Sequence, residues 1–172
     1  SRIVLDANIY TMNNRAEAFW MKKGILGDTV PLELNAKELL HRNNKNSELT
    51  VYGYTPMMVS VQCVQKTMDH CNHACVLYVL KDRYQKEFRG VCSCEFCYNT
   101  IYNALPTSLL KEKEKAEKLG VKAYRLSFTT ETQQETEKIV RAFVDVYLRG
   151  QKPDGQMQTE ETTKGHFQRG VE

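Results

Sequence analysis

The sequence predicts an α/β fold: parallel strands with helices packed across them, interrupted after the third strand by a cysteine-rich β-hairpin. Three observations carry that prediction. Short apolar runs alternate with helical patterns at the spacing of βα units. All six cysteines of the 172-residue chain fall between Cys63 and Cys97. The βα rhythm breaks over that same stretch and resumes after it. Hydrophobic residues at 41% and charged residues at 26% describe an ordinary globular protein. A net charge of +3 is too small to argue for nucleic acid or an anionic membrane. The sequence contains no run of about 18 apolar residues that would cross a bilayer.

Taken in order, RIVLDANIY (2–10) reads as a strand ending in the polar residues Asp6 and Asn8. NRAEAFWMKKG (14–24) follows as a helix with Ala16, Phe19, Trp20 and Met21 on its apolar face and Gly24 as its stop. TVPLELN (29–35) is a second strand, AKELLHRNN (36–44) a second helix with Leu39 and Leu40 inward, and ELTVYGY (48–54) a third strand. VLYVLKDR (76–83) and QKEFRG (85–90) form a hairpin turning at Asp82–Gln85. LPTSLLKEKEKAEKLG (105–120) reads as a helix, with Pro106 near its start. VKAYRLSF (121–128) is the fourth strand of the βα pattern. TQQETEKIVRAFVDVYLRG (132–150) is an amphipathic helix whose Ile139, Val140, Phe143, Val144 and Tyr147 keep helical spacing.

Four such units make either a small open sheet or half of an eight-stranded barrel, which takes about 250 residues. A half barrel leaves unpaired strand edges, so an N-terminal half or a second copy of the chain is expected as partner. The opening directly on Ile3-Val4-Leu5 likewise suggests a fragment of a longer protein. The domain then spans 1–150, with the insertion at about 61–100, and 151–172 is either a disordered polar tail or a strap packed on the barrel. No secretory signal is visible, so a reducing, cytoplasmic setting is expected.

The cysteine spacing is Cys63-x7-Cys71-x3-Cys75-x16-Cys92-x1-Cys94-x2-Cys97. The hairpin starts just after Cys75 and returns just before Cys92. Paired strands lie about 4.8 Å apart, so both groups of thiols meet at its base. Four thiolates suit tetrahedral zinc or an iron–sulfur cluster. Free core cysteines and local disulfides are the alternatives. His70 and His73 lie in the same loop, in a solvated role or one supporting the ligands.

The segments LDANIYTMNNRAEAFWMKKG, PLELNAKELL, ELTVYGYTPMMVSVQC, LKDRYQKEF, CSCEFCYNTIYNALPTSLL and TTKGHFQRGVE run in order over nearly the whole chain. Together they resemble the collagenase-like peptidase family U-32, especially the C-terminal half of its larger bacterial members. The resemblance implies a partial TIM-like (β/α) barrel, with this chain holding the later strands. It implies Cys63, Cys71, Cys94 and Cys97 as the recurring metal thiols, with Cys75 and Cys92 peculiar to this sequence. Relatives include RNA hydroxylation enzymes and oxygen-independent ubiquinone hydroxylation proteins. Several carry a 4Fe–4S cluster on four cysteines, which turns the cofactor expectation from zinc to iron–sulfur. RNA or a peptide is the implied substrate. The family's peptidase label finds little echo in the residues, which include neither HExxH nor GxSxG.

Reactive groups in βα barrels project from the C-terminal ends of strands. That rule nominates Asp6, Asn8 and Tyr10 after the first strand, Glu33 and Asn35 after the second, and Tyr54 after the third. His166 and Arg169 of the tail, between glycines, join them. Asp6, Asn8, Tyr10, Glu33 and His166 are the catalytic candidates; Asn35, Tyr54, Arg125 and Arg169 are the substrate-binding ones. Structural alternatives are that Asp6 and Asn13 cap turns or helices and that Glu33 pairs with Arg125. Arg15, Arg42 and Lys111–Lys118 read as solvated helix faces. Three functions follow: cluster-assisted hydroxylation of an RNA base or another ring, peptide-bond hydrolysis, or a binding domain clipped by structural zinc. With half the barrel mouth missing, the isolated chain is expected to be inactive.

Overall fold

The computed structural model describes residues 3–68, 71–153 and 161–170. The chain opens on β1 (Val4–Leu5), a 3-10 turn over Ala7–Ile9 and α1 (Asn14–Lys22). Asn13 caps α1, its side-chain oxygen accepting from the Arg15 and Ala16 N–H groups at 3.0 and 3.1 Å. Gly24 closes the helix with φ at +84°, a conformation that costs a side chain strain. The apolar face expected of α1 is only partly sunk. Phe19 is exposed against Trp20 (ring centroids 5.3 Å apart), and the buried residue is Glu17, whose carboxylate accepts from Asn43 Nδ2 at 3.0 Å.

β2 (Gly27–Thr29) precedes the expected run, because Pro31 cannot donate to a ladder and the chain turns there. α2 (Ala36–Leu40) begins with a reciprocal cap between Asn35 and Glu38. Leu39 is buried, but Leu40, expected inward, faces solvent. Neighbours on a helix point about 100° apart, and so short a helix sinks one stripe only. β3 (Ser47–Gly53) carries a bulge between Thr50 and Tyr52, so the consecutive residues Val51 and Tyr52 are both buried.

The insertion is larger than a hairpin. β4 (Pro56–Ser60), β5 (Val76–Lys81), β6 (Glu87–Ser93) and β7 (Tyr98–Tyr102) build an antiparallel sheet in the order β4-β7-β6-β5, with α3 (Val64–Thr67) between β4 and β5 in the chain. The expected β5–β6 hairpin is present, registered from Val76–Cys92 to Lys81–Glu87. Asp82 Oδ1 holds its turn by accepting from the Tyr84 and Lys86 N–H groups at 2.7 and 2.9 Å. Tyr78 lies flat over Gly90 across the pair, where any Cβ would collide with the ring.

The main sheet then resumes. β8 (Thr107–Ser108) pairs antiparallel with the end of β3. It takes up the start of the helix expected from 105, so α4 (Lys113–Lys118) begins only after a 3-10 turn at Leu110–Glu112. β9 (Ala123–Ser127) lies parallel to β3, and α5 (Gln133–Phe143) runs on into a π-helical turn over Val144–Leu148. Parallel pairing in the order β1-β2-β3-β9 confirms the βα reading. The described residues form an open five-stranded sheet and no closed barrel, with β1, β9 and the short β8 each paired to one strand only. The core lies between this sheet and its helices, around Val51, Leu39, Leu109, Ala116, Phe143 and Val146. Residues 161–170 of the tail pack on the main sheet. Thr163 bridges Thr107, Ser108 N–H reaches Thr163 O at 2.8 Å, and Phe167 joins the core. The part of the tail at 154–160 lies outside the described residues.

Arg42 corrects the sequence reading. It lies beyond the end of α2, 6% exposed, and pairs with Asp28 on β2, which is 1% exposed. Asp28 also accepts from the Thr11 hydroxyl and from Ser47 Oγ, the latter at 2.5 Å. The guanidinium donates to Thr11 O (2.8 Å), Asn44 Oδ1 (2.9 Å) and Ser47 Oγ (2.9 Å), so the buried charge is fully surrounded. Removing one partner of such a pair leaves an uncompensated buried charge. Arg42→Ala is therefore expected to cost about 3–5 kcal/mol in urea unfolding. Arg141→Ala, which breaks an exposed α5 pair with Glu137, is expected to cost at most about 1 kcal/mol. A double Asp28→Leu/Arg42→Met variant more stable than Arg42→Ala alone would confirm charge burial as the cause.

Candidate functional site

Two cavities matter. The first, about 240 Å³, opens at the C-terminal ends of the parallel strands. Asp6 and Asn8 reach it from beyond β1, Tyr54 and Thr55 from beyond β3, Arg125 and Thr129 from β9 and just past it, and Lys164 from the tail. Four of the nominated residues, Asp6, Asn8, Tyr54 and Arg125, therefore share one wall. Tyr10, Glu33, Asn35, His166 and Arg169 do not line it. Tyr10 ends the first 3-10 turn at φ +56° and is exposed. Asn35 caps α2 and lies against the backbone of Gly170. His166 Nδ1 stands 3.0 Å from Gly170 O, and Arg169 faces solvent.

Asp6 accepts from the Asn8 N–H at 3.1 Å, so its capping role is real. Arg125 pairs with Glu48, donating through Nε at 2.7 Å, and not with Glu33, the partner offered as a structural alternative. Glu48 also accepts from Thr29 Oγ1 at 2.7 Å, a link across three strands that no sequence pattern signals. Lys164 was missed as well. It pairs with Glu112, which also takes Lys115 Nζ at 2.6 Å. Burial pushes the Glu112 carboxyl up, but hydrogen bonds from Lys115 and Lys164 outweigh it and hold the group below its usual 4.5.

The second cavity, about 250 Å³, is walled by Val61, Cys63, Lys66, Cys71, His73, Cys94 and Cys97. All four cysteines nominated as metal ligands therefore face one space. Cys63 arrives where β4 gives way to α3, and Asn99 Nδ2 on β7 steadies that segment by donating to Gln62 O at 2.8 Å. Cys94 and Cys97 come from the tight turn between β6 and β7, where Phe96 N–H reaches Ser93 O at 3.1 Å and Cys97 takes φ +52°. Cys71 comes from the loop before β5, with His73 beside it; His70 lies outside the described residues. Cys94 Sγ donates to Ala74 O at 2.9 Å. Among the described residues, no group of three or more histidine, cysteine or acidic side chains is already arranged as a metal site.

Cys75 does not line this cavity and is exposed. Cys92 is different. It is 1% exposed, and its sulfur lies 3.4 Å from Cys94 Sγ and 3.8 Å from Cys63 Sγ. Strand alternation from Cys94 is the signal that finds it, since residues two apart share a face. Burial, then the Cys94 and Cys63 thiols, push Cys92 up to about 12. Cys63 makes no close capping bond to α3, yet the Lys66 N–H facing it is the largest influence and pulls its thiol below 9.0 against the effect of burial.

No protein-family model, curated protein or solved structure matches the chain. Among the described residues no helix is long and apolar enough to cross a membrane.

Two predictions test these walls. Because the Glu112 carboxyl is depressed in the folded state, its clamp on Lys164 is complete above pH 4.5 and is lost as pH falls through the depressed value. Proteolysis of the tail is expected to accelerate over that window in the native chain, and at all pH values in Glu112→Gln. In timed alkylation with iodoacetamide at pH 7.5, Cys71, Cys75 and Cys97 are expected to react first. Cys92 is expected to react slower by roughly tenfold or more, since the thiolate is the nucleophile. Equal rates would contradict its burial.

Proposed function

We propose that this chain is the C-terminal half of a U-32-like barrel enzyme and that its four cysteines hold a 4Fe–4S cluster. One observation carries the reading: Cys63, Cys71, Cys94 and Cys97, from three separate segments, face a single cavity. The donor set is entirely sulfur, which suits iron–sulfur or zinc and disfavours hard cations. A bound cluster supplies one-electron transfer. The chain's own residues do the rest. Cys63 and Cys71 would hold the group from the β4–β5 side, and Cys94 and Cys97 from the β6–β7 turn. Asp6, Asn8, Tyr54 and Arg125 would orient a ring or base in the strand-end cavity.

The partial barrel belongs to the same proposal. β1 and β9 are open edges, and Ile3, Val4 and Leu26 are about half exposed beside β1. Further βα units pairing there would cover both edges and complete the mouth. Hydroxylation of an RNA base or related ring is the reaction this arrangement supports best. A second reading, structural zinc, is favoured by the fact that the thiol cavity and the strand-end cavity share no wall residue.

Purification without oxygen, with iron, sulfide and zinc measured, decides between them. About four irons and four sulfides per chain are expected, lost in Cys94→Ser/Cys97→Ser. One zinc per chain would establish the second reading. Neither metal would overturn both.

A further inference from the structure

Cys92 is unused by the ligand set proposed above, yet it touches two members of it. Its sulfur is 3.8 Å from Cys63 and 3.4 Å from Cys94. It sits within β6, registered against Val76 on one side and Asn99 on the other, and is shut off from solvent. Cys63 is half-buried and opens onto the thiol cavity, where a small reagent can reach it. One sulfur of the pair is thus accessible, and the other lies directly behind it.

We infer that Cys63 and Cys92 form a disulfide site that withdraws Cys63 from the metal-binding thiols when a low-molecular-weight disulfide enters the cavity. The consequence for metal rests on the proposed function; the disulfide itself does not. The Cys63 thiolate attacks one sulfur of an oxidised reagent such as glutathione disulfide. That forms a mixed disulfide on Cys63 and expels one thiolate. Cys92 gives up its proton to that thiolate and attacks the Cys63 sulfur, and the second half of the reagent leaves as a thiolate that takes a proton from solvent. Two protein thiols are oxidised to one disulfide while one external disulfide is reduced to two thiols.

The shorter Cys92–Cys94 separation does not compete. Cys92 is buried, and Cys94, though it lines the cavity, already donates its thiol to Ala74 O at 2.9 Å, whereas among the described residues no such carbonyl holds Cys63. Cys63 and Cys92 come from separate segments, 29 residues apart in sequence, with their sulfurs 3.8 Å apart.

The test uses the full chain, both metal-free and loaded with zinc(II), treated with glutathione disulfide, digested without reduction and mapped by mass spectrometry. A Cys63–Cys92 cross-link is expected in the metal-free chain. In the loaded chain the cross-link should appear together with zinc release. Cys92→Ser is expected to bind zinc as the native chain does, but to stop at a glutathione adduct on Cys63. Cys92→Ala, checked by circular dichroism, separates that effect from misfolding. A dominant Cys63–Cys71 or Cys94–Cys97 cross-link would overturn the inference, as would unchanged zinc release in a folded Cys92 variant. If the chain binds no metal, the metal-free cross-link still decides the inference, and only the proposed function falls.

Discussion

The buried Asp28–Arg42 pair is the constraint on which the α/β half of the molecule depends. Asp28 lies on β2, Thr11 on the chain entering α1, Arg42 just past α2, and Ser47 at the start of β3. Asn44 extends the network, donating to Leu39 O at 2.7 Å and to Leu119 O at 3.1 Å, so the end of α4 is tied to the same point. An apolar contact of equal area would leave the elements free to slide, because hydrophobic burial has no direction. Hydrogen bonds to a buried charge have direction and fix the register of β2 on β3 at Asp28–Ser47. Once that register is set, the C-terminal ends of the parallel strands stand together and the strand-end cavity follows.

What could be read from the sequence was what has a period or a punctuation mark. The parallel strands, both long amphipathic helices and the β5–β6 hairpin announce themselves through spacing, caps and turn residues. The second sheet was half hidden. Met57, Met58 and Val59 of β4 are all exposed, so the strand shows no alternation of apolar and polar residues. Arg42 was misread because a charged residue near a helix end carries no mark of burial; only the distant Asp28 makes it acceptable inside. Phe19 and Leu40 were misread for the opposite reason, since an apolar residue on a short helix need not find a core.

The candidate sites divide along the same line. The two groups of cysteines could be brought together from sequence because a hairpin converts separation along the chain into proximity at its base; the choice of four among the six came from the family resemblance. The strand-end residues were legible as a class, since position after a strand places them at the mouth. Which of them reach the cavity depends on local bonds. His166 and Asn35 are drawn towards Gly170, while Glu48 rather than Glu33 takes Arg125. Lys164 could not be foreseen, because its place depends on how a polar tail crosses back over β8.

β6 carries residues that bear on both cavities. Cys92 stands near one end of the strand, and Arg89, three residues earlier, lies about 10 Å away along it. Arg89 places its guanidinium 4.9 Å over the ring of Tyr54 and donates to Thr130 Oγ1 at 3.1 Å. Tyr54 is a wall of the strand-end cavity, and Thr130 adjoins Thr129 in the same wall. A sheet whose thiol end is held rigidly therefore holds Arg89, and through it Tyr54, in a fixed position. A sheet whose thiol end is loosened loses that support. The strand that carries Cys92 thus also carries the residue packed on Tyr54.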